Sequence, residues 1–165
     1  MLTITASSAT WFLPFAIPIA IWVSWSDMKF MKIPNKAVIA LFGIFVIVGL
    51  LALPFEDYLW RYLNVLVVLV VGFFLNLRGA VGAGDAKFAA AMAAFFPATD
   101  SAILLYFFAA VLLGAFTTHR GFRRLRFIRS AFPDWESWEN RDFPMGLALT
   151  GALIFYLAAG VFLGT

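Results

Sequence analysis

The chain of 165 residues is 64% hydrophobic and 13% charged, with a net charge of +3. A soluble domain is about 45–50% apolar and about 25% charged, so one water-soluble core could not bury this much apolar side chain. The composition therefore predicts an integral membrane protein. The absence of cysteine excludes disulfides, thiolate metal sites and cysteine nucleophiles, and a single histidine disfavours an all-histidine metal site or a Ser-His-Asp triad.

Six apolar segments are candidates for membrane helices, which need about 20 residues to cross the hydrocarbon. The run Ala86–Ala115 is too long for one crossing and is interrupted at Pro97, so it is divided into two helices. The alanine-rich first half is expected to pack inside the bundle, because small residues let helices approach closely in lipid. We predict an all-α, polytopic membrane protein with a six-helix bundle in one domain, residues 1–165. Its predicted spans are about 11–25, 37–53, 58–77, 86–96, 102–118 and 145–163, with a cytoplasmic loop at about 119–144.

The basic residues favour six crossings over five, because cytoplasmic loops are enriched in lysine and arginine. With the N-terminus outside, six crossings place eleven of the twelve basic residues in the cytoplasm and only Arg61 outside. Five crossings would put the arginine-rich loop on the side opposite to Lys29, Lys32 and Lys36. We therefore predict that both termini lie outside.

Two aspartates lie at the predicted cytoplasmic edges of helices. Asp27 follows the first span, and Asp85 begins the fourth within the sequence Gly82-Ala83-Gly84-Asp85. Ionisable groups near membrane spans are costly and are candidates for function. The alternative is that each is an interfacial helix cap. Gly82 and Gly84 leave room for another backbone near Asp85, whereas a phosphate-binding loop is disfavoured by the aspartate itself.

The order of these motifs resembles a known family. Asp27 precedes Ile33-Pro34-Asn35, the segment Gly82-Ala83-Gly84-Asp85-Ala86-Lys87 follows the third span, and Phe143-Pro144-Met145-Gly146 begins the last. This set, over about residues 10–163, resembles the type IV prepilin peptidases, aspartic membrane proteases that trim pilin precursors. The length is similar to that of the short branch serving tight-adherence (Flp) pili.

The resemblance implies a membrane aspartic endopeptidase that acts in pilus assembly and protein secretion. It cleaves the leader peptide from prepilins at the cytoplasmic face of the bacterial inner membrane. Asp27 and Asp85 are then the catalytic pair, supported by Gly82, Gly84 and Lys87. Longer members carry a cytoplasmic region with cysteine pairs that this chain lacks, so no metal, cofactor or methyl transfer is expected. Lys87 has an equally simple alternative as a lipid anchor.

Paired aspartates also suit peptide hydrolysis on chemical grounds alone. Close carboxyl groups do not both ionise easily, so the pair shares about one proton. The ionised group draws a proton from water, and the protonated group polarises the scissile carbonyl. Such a pair titrates as a unit, so the sequence leaves open which aspartate is the base.

The loop after the fifth span has a basic half and an acidic half. Residues 120–129 mix basic and apolar side chains, with the apolar ones near helical spacing, which favours a helix on an anionic leaflet over nucleic-acid binding. The acidic half is either a solvated surface or a binding site for the basic leader of a prepilin. Its members are Asp134, Glu136, Glu139 and Asp142.

Two other functions compete with the prepilin peptidase hypothesis. Presenilin-type proteases share Gly-x-Gly-Asp, but they are longer and have a Pro-Ala-Leu motif that is absent here. A small proton-coupled transporter or a membrane scaffold could use Asp27 and Asp85 as proton-binding groups. Transporters often have internal repeats and acidic groups near mid-membrane, and the sequence has neither. The oligomeric state is left open.

Overall fold

The computed structural model describes residues 2–165, which form seven α-helices and two short 3₁₀ helices. Within this range, five of the α-helices are long and apolar enough to cross a membrane. The all-helical membrane architecture is confirmed, whereas the count of six spans is not. The α-helices are α1 (Ala6–Phe30), α2 (Asn35–Ala52), α3 (Phe55–Leu77), α4 (Ala83–Ala93), α5 (Ser101–Arg124), α6 (Arg126–Ala131) and α7 (Met145–Leu163), and the 3₁₀ helices are Ala98–Asp100 and Glu136–Trp138.

Helix α4 accounts for the difference in the count. Its 11 residues extend about 16 Å, roughly half of the hydrocarbon thickness. It nevertheless runs antiparallel to α3, as two contacts show. Gly72, in the last part of α3, faces Ala86 at the start of α4, and Arg61, near the start of α3, faces the Ala94 carbonyl just after α4 ends. The chain thus returns towards the beginning of α3 before α5 starts. As its alanine content predicts, most of α4 is buried.

We name the two ends of the bundle by the residues at each: the terminal end and the aspartate end. Helix α1 is antiparallel to α2 and to α7: Ser8 donates to the Ala52 carbonyl at 2.6 Å, and Ser24 hydrogen-bonds Thr150 at 2.6 Å. The terminal end contains Leu2–Ile4, Asp100 and Gly164, with Leu2 paired to Gly164 in an isolated bridge. The aspartate end contains Asp27 and Asp85.

The core between these ends is aromatic and aliphatic. The Phe12 ring packs edge-on against Phe95, with ring centroids 4.9 Å apart, and Phe45 lies 6.0 Å from Phe95. All three side chains are fully buried. They join α1, α2 and the segment after α4, so this cluster fixes how the short α4 sits in the bundle.

The predicted loop at 119–144 is shorter than expected. Helix α5 continues to Arg124, and α6 follows after a break at Leu125. Arginine is a good helix former and its charge is favourable in a last turn, so residues 120–124 extend the helix rather than end it. Of α5, His119 is the buried residue, and the helix packs mainly along α7.

Candidate active site

Asp27 lies one turn before the end of α1 and is 4% exposed. Its Oδ2 accepts a hydrogen bond of 2.6 Å from the backbone N–H of Gly146, in the first turn of α7. A Cβ at position 146 would lie 2.9 Å from that oxygen and 3.1 Å from the carboxyl carbon. Only glycine therefore lets α7 approach this carboxyl group closely enough to orient it.

The chain leaves α1 through a tight turn. Met31 adopts a left-handed conformation, with φ of 51°, and its N–H donates to the Asp27 carbonyl at 2.9 Å. Ser26 donates to the Lys32 carbonyl at 2.9 Å. These bonds fold the segment before Pro34 back over the end of α1, beside Asp27.

Asp85 lies in the first turn of α4, which is not one of the five long helices. Burial raises the pKa of the Asp85 carboxyl above its usual range, and a hydrogen bond from the Gly82 N–H opposes that rise. A Cβ at Gly82 would meet Asp85 Oδ2 at 2.5 Å, and one at Gly84 would meet Ile33 Cβ at 3.3 Å. The two glycines thus admit the carboxyl group on one side and the Ile33 segment on the other.

Asp27 and Asp85 line one cavity of about 660 Å³ at the aspartate end. The glycine-rich segment 79–84 and the residues around Asn35 and Phe143 form the rest of its wall. A cavity of this size is typical of ligand sites and accommodates a short peptide segment.

A comparison of the chain with models of protein families identifies one family. The model of the type IV leader peptidase family matches residues 14–118, which include both aspartates and end before α7. The chain belongs to that family. Membership supports a protease of the type IV leader peptidase kind, and the five long apolar helices support a membrane protein. No curated protein and no solved structure matches the chain.

The Lys87 side chain reaches from α4 to α2. Its Nζ donates to Asn35 Oδ1 at 3.4 Å, and both side chains are exposed. The bond joins the fifth residue of α4 to the first residue of α2. Lys87 is therefore placed to hold the glycine-rich segment against the segment that carries Ile33.

The four predicted acidic residues do not lie together. Asp142 lines the cavity with the two aspartates. Glu139 lies 3.7 Å from Arg129, with which it forms an exposed ion pair. Asp134 and Glu136 are exposed and do not line this cavity.

A second, apolar cavity of about 370 Å³ adjoins the first, because Val81, Asp85 and Met145 line both. It extends between α3, α4 and α5, past residues such as Ala89 and Leu104. The Asp85 carboxyl group thus lies where the polar cavity meets this apolar slot.

Two residues of the motifs that begin the second and the last predicted spans also make contacts at the site. The Gly146 N–H donates to Asp27, and Asn35 accepts from Lys87. A backbone N–H leaves no mark on the sequence, but glycine in the first turn of a helix, where it has no propensity advantage, is a signal of close approach.

Proposed function

We propose that this chain is an aspartic endopeptidase that cleaves the leader from type IV, Flp-like prepilins at the cytoplasmic face of the bacterial inner membrane. The observation that carries the proposal is the meeting of Asp27 and Asp85 at one cavity, although they belong to different helices. Membership of a peptidase family favours this function over a transporter or scaffold. The absence of cysteine from residues 1–165 matches the Flp-like branch of the proposal.

Hydrolysis would use the two carboxyl groups as a pair with one proton. The ionised group takes a proton from water as the water oxygen attacks the peptide carbonyl carbon, and the protonated group donates to the carbonyl oxygen. The C–N bond then breaks as the nitrogen receives a proton from the pair. The Gly146 N–H would hold Asp27 in place throughout, since it bonds one carboxyl oxygen.

The distribution of basic residues supports a site on the cytoplasmic side. Lys29 and Lys32 flank the end of α1, and Lys87 and Arg78 flank the glycine-rich segment. Arg61, by contrast, contacts the Ala94 carbonyl towards the terminal end. An excess of basic residues at the aspartate end matches the rule that such residues stay in the cytoplasm.

The two adjoining cavities suggest the substrate class. The polar cavity with Asp142 in its wall suits a hydrated, basic leader, and the apolar slot beyond Asp85 suits an apolar segment on the other side of the cleaved bond. A precursor whose basic leader is followed directly by an apolar helix would fit both. Peptides without the apolar segment should bind more weakly.

The test is a comparison of Asp27→Asn and Asp85→Asn with the wild type, using purified enzyme and a prepilin-type precursor. Asparagine keeps the size of the side chain but does not share a mobile proton. Each variant should lose at least about 100-fold in cleavage, and the double variant should lose little more than either single variant. Mass spectrometry of the new N-terminus measures the cut.

The matched control is Asp57→Asn, an exposed aspartate at the start of α3. It should cleave normally, and all variants should unfold at a temperature close to that of the wild type. Full cleavage by either active-site variant would refute the aspartate pair.

A further inference from the structure

Residues 140–146, which we call the strap, reach the candidate active site from the connection before α7. Three of them line the cavity of the aspartate pair: Asp142, Phe143 and Met145. The Gly146 N–H donates to Asp27 at 2.6 Å. Residues 140–144 have no regular secondary structure. The position of this part of the strap therefore depends on its contacts with neighbouring elements.

His119 supports the strap with its ring. It is the buried residue of α5 and is 4% exposed. Its ring stacks on Trp138 at a centroid distance of 5.2 Å, and the Phe143 ring meets it edge-on at 5.8 Å. Trp138 is 2% exposed, and its indole N–H donates to the Phe132 carbonyl at 2.9 Å, so it forms a fixed surface. The His119 ring therefore joins that surface to a strap residue in the cavity wall.

Arg123 holds the beginning of the strap. It lies four residues after His119, on the same face of α5. Its Nη1 donates to the Asn140 carbonyl at 3.1 Å, and the Asn140 side-chain oxygen accepts from the Asp142 N–H at 3.1 Å. Two successive hydrogen bonds thus run from α5 to a residue that lines the cavity.

Within residues 2–165, the wall of the aspartate cavity contains no residue of α5. We propose that His119 and Arg123 are positioning residues, which hold the strap so that Gly146 stays on Asp27 and Asp142 stays in the cavity wall. The inference rests on the proposed peptidase function, because the effect is on cleavage. It differs from packing alone, since lost packing would lower cleavage whether or not the bond of Gly146 to Asp27 is intact.

The first experiment measures kcat and KM of purified, full-length variants with a prepilin-type precursor. His119→Ala should lower kcat by roughly tenfold, because it removes two ring contacts and lets the strap shift from Asp27. His119→Phe keeps a ring between Trp138 and the strap and should restore most of the activity. Arg123→Gln should lower kcat/KM roughly two- to tenfold, the effect of one hydrogen bond from a charged donor. Arg124→Gln, at the exposed neighbouring arginine, is the control and should cleave normally.

The second experiment combines variants to separate positioning from packing. In a Gly146→Ala background, His119→Ala should cause little further loss, because both act on the same contact with Asp27. In a Lys87→Met background the two losses should multiply, because Lys87 acts through a separate bond to Asn35. Losses that multiply in both backgrounds would overturn the proposal, as would a His119→Ala loss when Gly146→Ala cleaves normally.

The third experiment needs no substrate. Because the chain has no cysteine, spin labels can be attached at Lys36→Cys beside the cavity and at Arg141→Cys in the strap, both exposed positions. The distance distribution between the labels should be narrow in the wild type and in His119→Phe. It should broaden in His119→Ala and in Arg123→Gln.

The two readouts distinguish failure of this inference from failure of the proposed function. A wild type that cuts no precursor, with labels that respond as expected, would refute the function and leave the support of the strap by α5 standing. Unchanged distances in both variants would overturn the inference, whatever the enzyme cleaves. Arg123→Gln, at a half-buried position, keeps the test decisive if His119→Ala fails to fold.

Discussion

The contact between Asp27 and Gly146 is the most constrained residue pair of the site. The carboxyl oxygen and the backbone nitrogen are 2.6 Å apart and are separated by 119 positions in the sequence. The bond needs both a helix N-terminus, where backbone N–H groups are free, and a residue without a side chain. Position 146 thus fixes the orientation of the Asp27 carboxyl group.

We predict that Gly146→Ala lowers cleavage by roughly 10- to 100-fold, because small displacements of a catalytic group are that costly. The new Cβ would lie 2.9–3.1 Å from Asp27 atoms and would push the carboxyl group away from α7. The measurement is kcat/KM for a purified precursor. Gly43→Ala is the control, since a Cβ there meets nothing within 4 Å. Normal cleavage by Gly146→Ala would show that the close approach has no catalytic role.

Lys87 and Asn35 form a second pair of interacting residues at the aspartate end. We predict that Lys87→Met and Asn35→Ala each lower cleavage by about two- to tenfold, the value of one modest hydrogen bond. Because they remove the same bond, the double variant should be no worse than either single variant. Lys36→Met, an exposed lysine beside Asn35, is the control for loss of charge. Additive losses would mean that Lys87 acts on something other than Asn35.

Helix α4 and the segment before α7 show how whole elements build the site. Helix α4 is too short to cross a membrane alone, yet its buried alanines let it pack against α3 and put Asp85 opposite Asp27. The segment from α6 to α7 carries the acidic residues and brings Asp142 into the wall of the same cavity. The elements that position the site are therefore a short helix and an irregular connection.

We predict that Asp142→Asn weakens capture of a basic leader, whereas Asp134→Asn has little effect. Asp142 lines the cavity, while Asp134 is exposed elsewhere. Attraction by exposed charges acts mainly on the rate of encounter and is screened over about 8–10 Å at physiological salt. The defect should appear at low precursor concentration, disappear at saturation and shrink with added salt. Equal effects of the two variants at every salt concentration would contradict a specific role for Asp142.

The whole bundle is tied together at the terminal end by Asp100. This residue is 1% exposed, and its carboxylate accepts from the Thr3 and Ile4 N–H groups at 3.0 and 3.3 Å and from the Tyr156 hydroxyl. One side chain thus joins the N-terminal segment, the start of α5 and the second half of α7. Towards the aspartate end, α1 and α7 are joined by the hydrogen bonds of Asp27 with Gly146 and of Ser24 with Thr150.

We predict that Asp100→Asn lowers the free energy of unfolding by about 2–3 kcal/mol, because an amide oxygen replaces a carboxylate that accepts several hydrogen bonds. The unfolding temperature in detergent, followed by circular dichroism, should fall by several degrees. Glu56→Gln removes an exposed charge near the same end and should leave the temperature unchanged. An equal shift in both variants would show that net charge, rather than this network, sets the stability.

The sequence by itself determined the membrane architecture and pointed to the two aspartates. Apolar composition and span length are properties of each segment alone, so the long helices were predictable. Asp27 and Asp85 stood out because acidic groups beside apolar segments are costly. The fourth span was harder to predict, because its extent depends on packing against α3 rather than on its own length.

Only the tertiary structure decided which groups meet. The contact of Gly146 with Asp27, the bond from Lys87 to Asn35 and the place of Asp142 in the cavity wall all join segments distant in the sequence. The same holds for His119, which faces an apolar cavity formed by three separate helices. Such contacts depend on how helices approach and rotate against one another, and this follows from the shape of the whole packed bundle rather than from any one segment.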